Sequence, residues 1–236
     1  MKLVKYLDLG TIDYQEAWDL QTTLFEGIIA RKMENRTLAA DAKIQQVSYL
    51  LFCEHPHVYT LGRNGASENM LLDELALTEK GASFVKINRG GDITYHGYGQ
   101  IVGYPLLDLD EFFTDIGRYI RFMEEMVIRT LTEYGLESGR IDGQSGVWLD
   151  WEGPQARKIC AVGVHLSRWV TMHGFAFNIN TKLDYFNHII PCGISDKGVT
   201  SLAQELGYEI DMGEVKTKLL RHFKDLFEAE IEITKI

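Results

Sequence analysis

The chain has 236 residues, of which 45% are apolar and 25% charged, proportions that are ordinary for a globular protein. Its 24 basic and 34 acidic side chains give a formal net charge of −10, which argues against general binding to nucleic acid or anionic membranes, since both are negatively charged. No apolar run approaches the roughly 18 residues that span a bilayer, and the polar start does not fit a secretory signal. We therefore expect a cytoplasmic protein with a single domain over residues 1–236.

The first predicted elements are a helix and two strands. Helical periodicity predicts an amphipathic helix over residues 13–32. Two buried strands follow, at 46–53 and 57–61. After a polar stretch, two more strands, at 84–87 and 101–109, flank a glycine-rich loop.

The second half of the chain combines strands with two clear helices. A helix is predicted over 115–134, where Gly135 provides the C-terminal cap, and another over 211–228, where Asp211 is the N-cap. Between them, short strands fill residues 146–180. This order predicts an α+β domain with mixed, mostly antiparallel β-sheets flanked by helices.

The glycine-rich loop has the sequence RGGDITYHGYGQ over residues 89–100. This loop sequence matches neither the phosphate-binding loop of nucleoside triphosphatases nor the dinucleotide-binding fingerprint. Its glycines allow backbone N–H groups to approach a ligand closely. They are equally typical of a wide β-hairpin, so composition leaves a binding role and a turn role both open.

The three cysteines differ in their surroundings. Cys53 and Cys160 lie inside apolar strand patterns, whereas Cys192 lies between Pro191 and Gly193 in a turn. No pair has the spacing of a zinc site or a redox dithiol. A thiol at Cys192 becomes a nucleophile only if a nearby cation stabilises the thiolate, and the candidates are Lys158, Arg157, Lys182, His173 and His188. A lysine-assisted transferase and a cysteine–histidine hydrolase are both compatible with these residues.

Three blocks of sequence identify a family. They are RGGDITYHGYGQIVGYPLLDL over 89–109, the lysine-bearing GVWL…RKICAVGVHLSRWVTMHGFAFNIN over 146–180, and the cysteine-bearing HIIPCGI over 188–194. With weaker similarity at 55–65 and 9–21, the chain resembles the octanoyl-[acyl carrier protein]:protein octanoyltransferases of lipoate biosynthesis. The resemblance implies the biotin/lipoate ligase-like fold.

The resemblance also implies site residues. Cys192 is expected to form the acyl thioester, and Lys158 to favour its thiolate. The substrate pocket is expected to be lined by Arg89, Gly90, Gly91, Asp92, Ile93, Thr94, Tyr95, His96, Ala161, Val162, Gly163, Gly174, Phe175 and Ala176. We further expect a basic rim around the pocket mouth, formed by Arg63, Arg157, Lys158, Arg168 and Lys182.

The reaction implied by the resemblance uses two protein partners. The octanoyl group leaves the phosphopantetheine of acyl carrier protein, passes to Cys192, and is delivered to a lysine of a lipoyl domain. The expected acceptors are the lipoyl domains of 2-oxoacid dehydrogenase complexes and of the glycine cleavage system. No ATP and no metal are expected, because the thioester is already activated, and a monomer is expected.

Three alternatives remain open. An ATP-dependent lipoate or biotin ligase of the same fold requires ATP and has no need of Cys192. A non-catalytic binder of carrier or lipoyl domains tolerates alanine at both Cys192 and Lys158. In a thiol hydrolase, water competes with the lysine acceptor.

Overall fold

The computed structural model describes residues 2–190 and 197–234, so Cys192 lies outside the described residues. The described part contains five α-helices: α1 Tyr14–Asn35, α2 Glu74–Glu79, α3 Ile116–Glu133, α4 Leu202–Leu206 and α5 Met212–Phe227. Its twelve strands are β1 Lys2–Thr11, β2 Ser48–Glu54, β3 Val58–Leu61, β4 Ser83–Lys86, β5 Ile93–His96, β6 Gln100–Leu106, β7 Gly139–Ile141, β8 Gln144–Leu149, β9 Arg157–Ser167, β10 Val170–Asn178, β11 Gly198–Val199 and β12 Ala229–Ile233.

Two sheets organise these strands. The main sheet has the order β12-β1-β2-β6-β10-β9-β8-β7, and β11 pairs with β9. The small sheet has the order β4-β3-β5. In the main sheet, β1 pairs in parallel with both β12 and β2. All neighbouring pairs in the series β2-β6-β10-β9-β8-β7 are antiparallel. The predicted α+β class with mixed, mostly antiparallel sheets is confirmed.

Helices cover both faces of the main sheet. Helices α3 and α5 pack together on one face, where Tyr119, Met123 and Phe223 are fully buried in the larger apolar cluster. Helix α1 covers the other face, against β6 and β10, and buries Ala17 and Phe25. The small sheet lies on this second side and shares the candidate site with it.

The helices predicted from sequence agree closely with those observed. The predicted N-cap of α5 is confirmed, because Asp211 accepts hydrogen bonds from two backbone N–H groups of the first turn. Gly135 ends α3 with a φ of +75°, a conformation that glycine adopts without strain. Strands β1, β7, β11 and β12 were not predicted, and β5 occupies part of the segment expected to be a loop.

No helix in residues 2–190 and 197–234 is long and apolar enough to cross a membrane.

Candidate active site

The candidate site is a trough whose floor consists of small residues on two neighbouring strands. On β9 and β10, Ala161 pairs with Ala176 and Gly163 pairs with Gly174. Residues two positions apart in a strand point to the same face, so these four lie together on the α1 side of the sheet. Because none has a side chain larger than a methyl group, space remains above the sheet for a ligand.

The roof of the trough comes from the glycine-rich loop and β5. The Arg89 guanidinium donates to the carbonyl oxygens of Gly90 and Asp92, both at 2.8 Å, and so holds the loop in a tight curve. The Gly90 N–H donates to the Val164 carbonyl on β9 at 3.0 Å, which fastens the roof to the sheet. The loop is therefore a tight turn that also lines a cavity, and its role in binding stays a prediction.

The cavity divides into two compartments that share Arg89, Thr94, Ala161 and Ala176. The outer compartment is also lined by Gly91, Asp92, Ile93, Gln100, Ser145, Trp148, Lys158, Val162, Asn178, Phe186, Lys197, Gly198 and Val199. The inner compartment is also lined by Tyr14, His96, Val102, Tyr104, Gly163, His173, Gly174 and Phe175.

A β-bulge directs Lys158 into the outer compartment. Trp148 and Val147 are adjacent on β8, yet they pair with Lys158 and Cys160 of β9, so Ile159 is an extra residue. A bulge of this kind reverses the alternation of side chains. In a regular strand Lys158 would share the face of Cys160, which is fully buried in the core. With the bulge it shares the face of Ala161.

The surroundings of Lys158 connect it to the chain that follows Cys192. Its Nζ lies 4.5 Å from the centre of the Trp148 ring. Strand β11 follows the undescribed segment 191–196 and pairs in parallel with β9, so that Val199 lies opposite Lys158. On the other side of that segment, the Ile190 N–H donates to the Asn69 carbonyl at 2.9 Å. The described chain thus returns to the outer compartment directly after residue 196.

A buried chain of hydrogen bonds links His96 to this region. Gln100 accepts from His96 Nδ1 at 2.9 Å and donates to Asn178 Oδ1 at 2.8 Å. Asn178 donates to the Thr200 carbonyl at 3.0 Å, and the Thr200 N–H donates to the Lys158 carbonyl at 3.0 Å. Sequence reasoning did not single out Gln100 or Asn178, although both lie in the blocks that carry the family resemblance.

The buried histidines of the site are neutral at physiological pH. Burial, together with the proximity of the His55 ring, lowers the pKa of His96 to about 3. Burial and the Arg89 guanidinium lower the pKa of His173 to about 3. His173 is 1% exposed, and its Nε2 lies 2.7 Å from Asn88 Oδ1.

The other two cysteines are core residues, as their sequence surroundings predict. Cys53 and Cys160 are fully buried, and burial raises the pKa of each thiol well above its usual range. Neither is a candidate nucleophile.

Most of the expected pocket residues meet at the trough, with two exceptions. Gly90 contributes to the roof through its backbone but does not line either compartment. Tyr95 is fully buried in the small-sheet core, with its hydroxyl 2.7 Å from His57 Nδ1. Within the described chain, no group of three or more histidine, cysteine or acidic residues is arranged to hold a metal ion.

The expected basic rim is wrong in two of its members. Arg168 follows the last residue of β9, roughly 30 Å from Lys158 at about 3.3 Å per residue. Arg157 lines neither compartment, and its guanidinium forms ion pairs with Glu205 and Asp150.

Comparisons with known proteins agree with these features. The model of the lipoyl protein ligase A/B catalytic domain matches residues 13–224. An octanoyltransferase of Flavobacterium johnsoniae is 60% identical over 231 residues, covering 98% of this chain and 99% of the relative. One of Christiangramia forsetii is 58% identical over 232 residues, covering 98% of each.

A solved structure confirms the fold. It comes from the structural analysis of a bipartite lipoate protein ligase and its E2 lipoyl domain from Thermoplasma acidophilum. The superposition covers 100% of this chain and 88% of the other, with a TM-score of 0.71 at 17% identity. At this identity the likeness concerns the fold alone, and it supports the biotin/lipoate ligase-like fold implied by the sequence blocks.

Proposed function

The chain belongs to the family of lipoyl protein ligase A/B catalytic domains and, within it, to the octanoyltransferases, which are acyltransferases; on this premise we propose a reaction. The protein moves an octanoyl group from acyl carrier protein to a lysine of a lipoyl domain through a thioester on Cys192. The observation that supports this proposal best is the position of Lys158. Its amine lies at the outer end of a trough floored by small residues, and the chain enters β11 beside it six residues after Cys192.

The trough suits an acyl chain and the thioester that carries it. The Ala161–Ala176 pair provides an apolar floor without bulky side chains, and burying a methylene group on such a surface contributes about 0.8 kcal/mol. The acyl carbonyl then lies at the outer end, close to Lys158. We assign the substrate-contacting role to the outer-compartment residues named from sequence, with Lys158 as the proton-transferring group.

In the first step, the Cys192 thiolate attacks the carbonyl carbon of the donor thioester. The carbon–sulfur bond to phosphopantetheine breaks, and its sulfur takes a proton from the Lys158 ammonium. In the second step, the neutral amine of the acceptor lysine attacks the octanoyl-Cys192 thioester. The amide bond forms, the Cys192 thiolate leaves, and the proton lost by the attacking amine returns to Lys158. Over the whole cycle, Cys192 and Lys158 return to their starting protonation states and no ATP is consumed.

Detection of the acyl-enzyme by mass spectrometry tests this scheme. The protein is incubated with octanoyl-carrier protein in the absence of ATP, followed by intact mass measurement and peptide mapping. We expect one octanoyl adduct on Cys192, which disappears when a lipoyl domain is added. Cys192→Ser should abolish turnover, whereas Cys53→Ser, at a buried thiol, should retain it.

Two outcomes contradict the scheme. Acylation that occurs only when ATP and free octanoate are supplied identifies an ATP-dependent ligase. Full activity of Cys192→Ser removes the thioester intermediate from the mechanism.

A further inference from the structure

Trp148 and Lys158 are direct cross-strand neighbours at the outer end of the trough. The β-bulge at Ile159 places Lys158 of β9 opposite Trp148 of β8, and the side chains of directly paired residues lie side by side on one face of a sheet. Val147 and Leu149, on either side of Trp148, belong to the larger apolar cluster. Trp148 therefore points to the other face, where it lines the outer compartment together with Lys158.

The Trp148 ring and the Lys158 ammonium are in cation–π contact. The Nζ atom lies 4.5 Å from the ring centre, within the range of about 6 Å over which the negative face of an indole attracts a cation. A Cβ atom at Gly146 would lie 3.5 Å from Lys158 Cε, so the stem of the lysine passes over this glycine on its way to the ring. Trp148 is 2% exposed, and its ring is therefore held in place by its surroundings.

A purely structural role does not account for a tryptophan at this position. The Trp148 Nε1 atom is buried and has no hydrogen-bond partner among residues 2–190 and 197–234. A buried donor without a partner is unfavourable, and phenylalanine or leucine would fill an apolar position without introducing one. The face of the ring explains the tryptophan, since indole is the aromatic ring that binds cations best.

Other charged groups also act on Lys158. Among the described residues, those on the elements packed against it are Arg89 and Asp92 of the glycine-rich loop, Lys197 before β11, and Glu124 of α3, which accepts from the Gly146 N–H. All of them remain in place when the Trp148 ring alone is altered. A change confined to the ring therefore isolates its effect on the lysine.

From these observations we propose that Trp148 is a positioning residue for the reaction, whose ring holds the Lys158 ammonium at the outer end of the trough and favours its protonated form. The inference rests on the proposed function and adds the residue that prepares Lys158 for its first proton transfer. The face of the ring attracts the ammonium and has no comparable attraction for the neutral amine. The lysine therefore keeps its proton until the phosphopantetheine sulfur leaves and takes it.

This role acts on only one limb of the pH profile of kcat/KM. At acid pH, activity falls because the Cys192 thiolate is protonated, while Lys158 is an ammonium throughout. At alkaline pH, activity falls because the ammonium that protonates the leaving sulfur loses its proton. A weaker ring face therefore shifts the alkaline limb to lower pH and leaves the acid limb in place.

Fluorinated tryptophan in place of Trp148 tests this without changing the shape of the ring appreciably. One, two or three fluorine atoms on the benzene ring progressively weaken its negative face, and kcat/KM for octanoyl transfer from carrier protein is measured against pH. We expect the alkaline limb to move stepwise to lower pH, by up to about 1 pH unit, and the acid limb to stay. The same replacements at Trp169, in the turn between β9 and β10, should move neither limb. An alkaline limb that stays in place in the trifluoro protein overturns the proposal.

Titration of Lys158 by NMR gives a readout that requires no octanoyl transfer. The Cε resonance, assigned with Lys158→Arg, is followed against pH in the unmodified protein, the trifluoro protein, Trp148→Phe and Trp148→Leu. We expect the midpoint to fall by about 1 pH unit in Trp148→Leu, which has no aromatic face, and by less in Trp148→Phe, which keeps one. An unchanged midpoint in the trifluoro protein overturns the proposal even where a substitution of the buried ring unfolds the chain. Absence of an acyl adduct on Cys192 contradicts the proposed function, whereas the midpoints still decide the role of Trp148.

Discussion

At the scale of single residues, two adjacent residues of β9, Arg157 and Lys158, have different roles at the site. Lys158 lines the trough, whereas Arg157 lines neither compartment and donates to both carboxylate oxygens of Glu205 at 2.6 Å. Glu205 also accepts from the Thr200 hydroxyl at 2.5 Å, immediately after β11. This arrangement ties β11 to β9 at the point where Val199 lies opposite Lys158. Arg157 thus positions β11 against β9, whereas the sequence led us to expect it among the cations at the pocket mouth.

This arrangement predicts unequal effects for the two acids that Arg157 contacts. Glu205→Gln should lower kcat/KM for octanoyl transfer about tenfold, because it loosens β11 beside Lys158, and a lost charge-assisted hydrogen bond of about 1.5 kcal/mol corresponds to that factor. Asp150→Asn should change kcat/KM less than twofold, since the Asp150 side chain is 57% exposed. Steady-state kinetics of the two variants checks this, and an equal loss in both would contradict it.

At the scale of elements, the sequence predicts the strands that carry the site better than it predicts their geometry. Residues 157–167 and 170–178 have the apolar patterns of buried strands, and their antiparallel pairing follows from the short turn between them. The bulge at Ile159 has no local signal, because it is defined by the partner strand. Strands β1 and β12 were missed for a related reason: they join the two ends of the chain in a parallel pair, and β12 is mostly exposed.

The elements around the bulge are held by one buried acid. Glu124 of α3 is fully buried and accepts from the Gly146 N–H of β8 at 2.9 Å and from Arg140 Nε at 2.9 Å. It thereby fixes α3 to the strand that lies opposite β9. A buried carboxylate with such partners is poorly replaced, since any variant leaves donors unsatisfied.

Glu124→Gln is therefore expected to lower the free energy of unfolding by about 2–4 kcal/mol. The matched control is Glu125→Gln, whose side chain is 32% exposed and pairs with Arg129 and Arg140; such partly exposed pairs contribute about 1 kcal/mol or less. Urea unfolding of both variants measures the difference. Equal losses would show that Glu124 does not connect α3 to β8 in the manner described.

At the scale of the whole molecule, the space between the two sheets is occupied by neutral histidines. Burial lowers the pKa of His55 to about 4, and those of His96 and His173 to about 3, against an ordinary value near 6.5. His55 lies 2.7 Å from the Tyr104 hydroxyl and His96 stacks on Tyr14, so these rings pack α1 and the small sheet against the main sheet. Protonating them requires this packing to open.

The sign of the resulting pH dependence follows from these depressed pKa values. Well above pH 6.5 the three imidazoles are neutral in both the folded and the unfolded chain, so their contribution to stability is fully present. Below pH 6.5 the unfolded chain binds protons that the folded chain does not, and the free energy of unfolding falls by up to about 1.4 kcal/mol per pH unit for each histidine. The loss continues until the folded pKa values, near 4 and 3, are reached.

Urea unfolding at pH 7.5, 6.5 and 5.5 should therefore show a loss of about 1 kcal/mol across the first interval and of about 3 kcal/mol across the second from these three histidines. This pH range lies above the range in which the paired carboxylates of Glu133 and Glu205 lose their contribution to stability. Arg221 and Arg157 lower the pKa values of these two carboxylates below the ordinary value of glutamate. His96→Gln should reduce the slope between pH 6.5 and 5.5, since one of the buried histidines whose pKa is lowered to about 3 is removed. A slope that His96→Gln leaves unchanged would mean that His96 titrates alike in both states, and that the packing between the sheets does not exclude its protonated form.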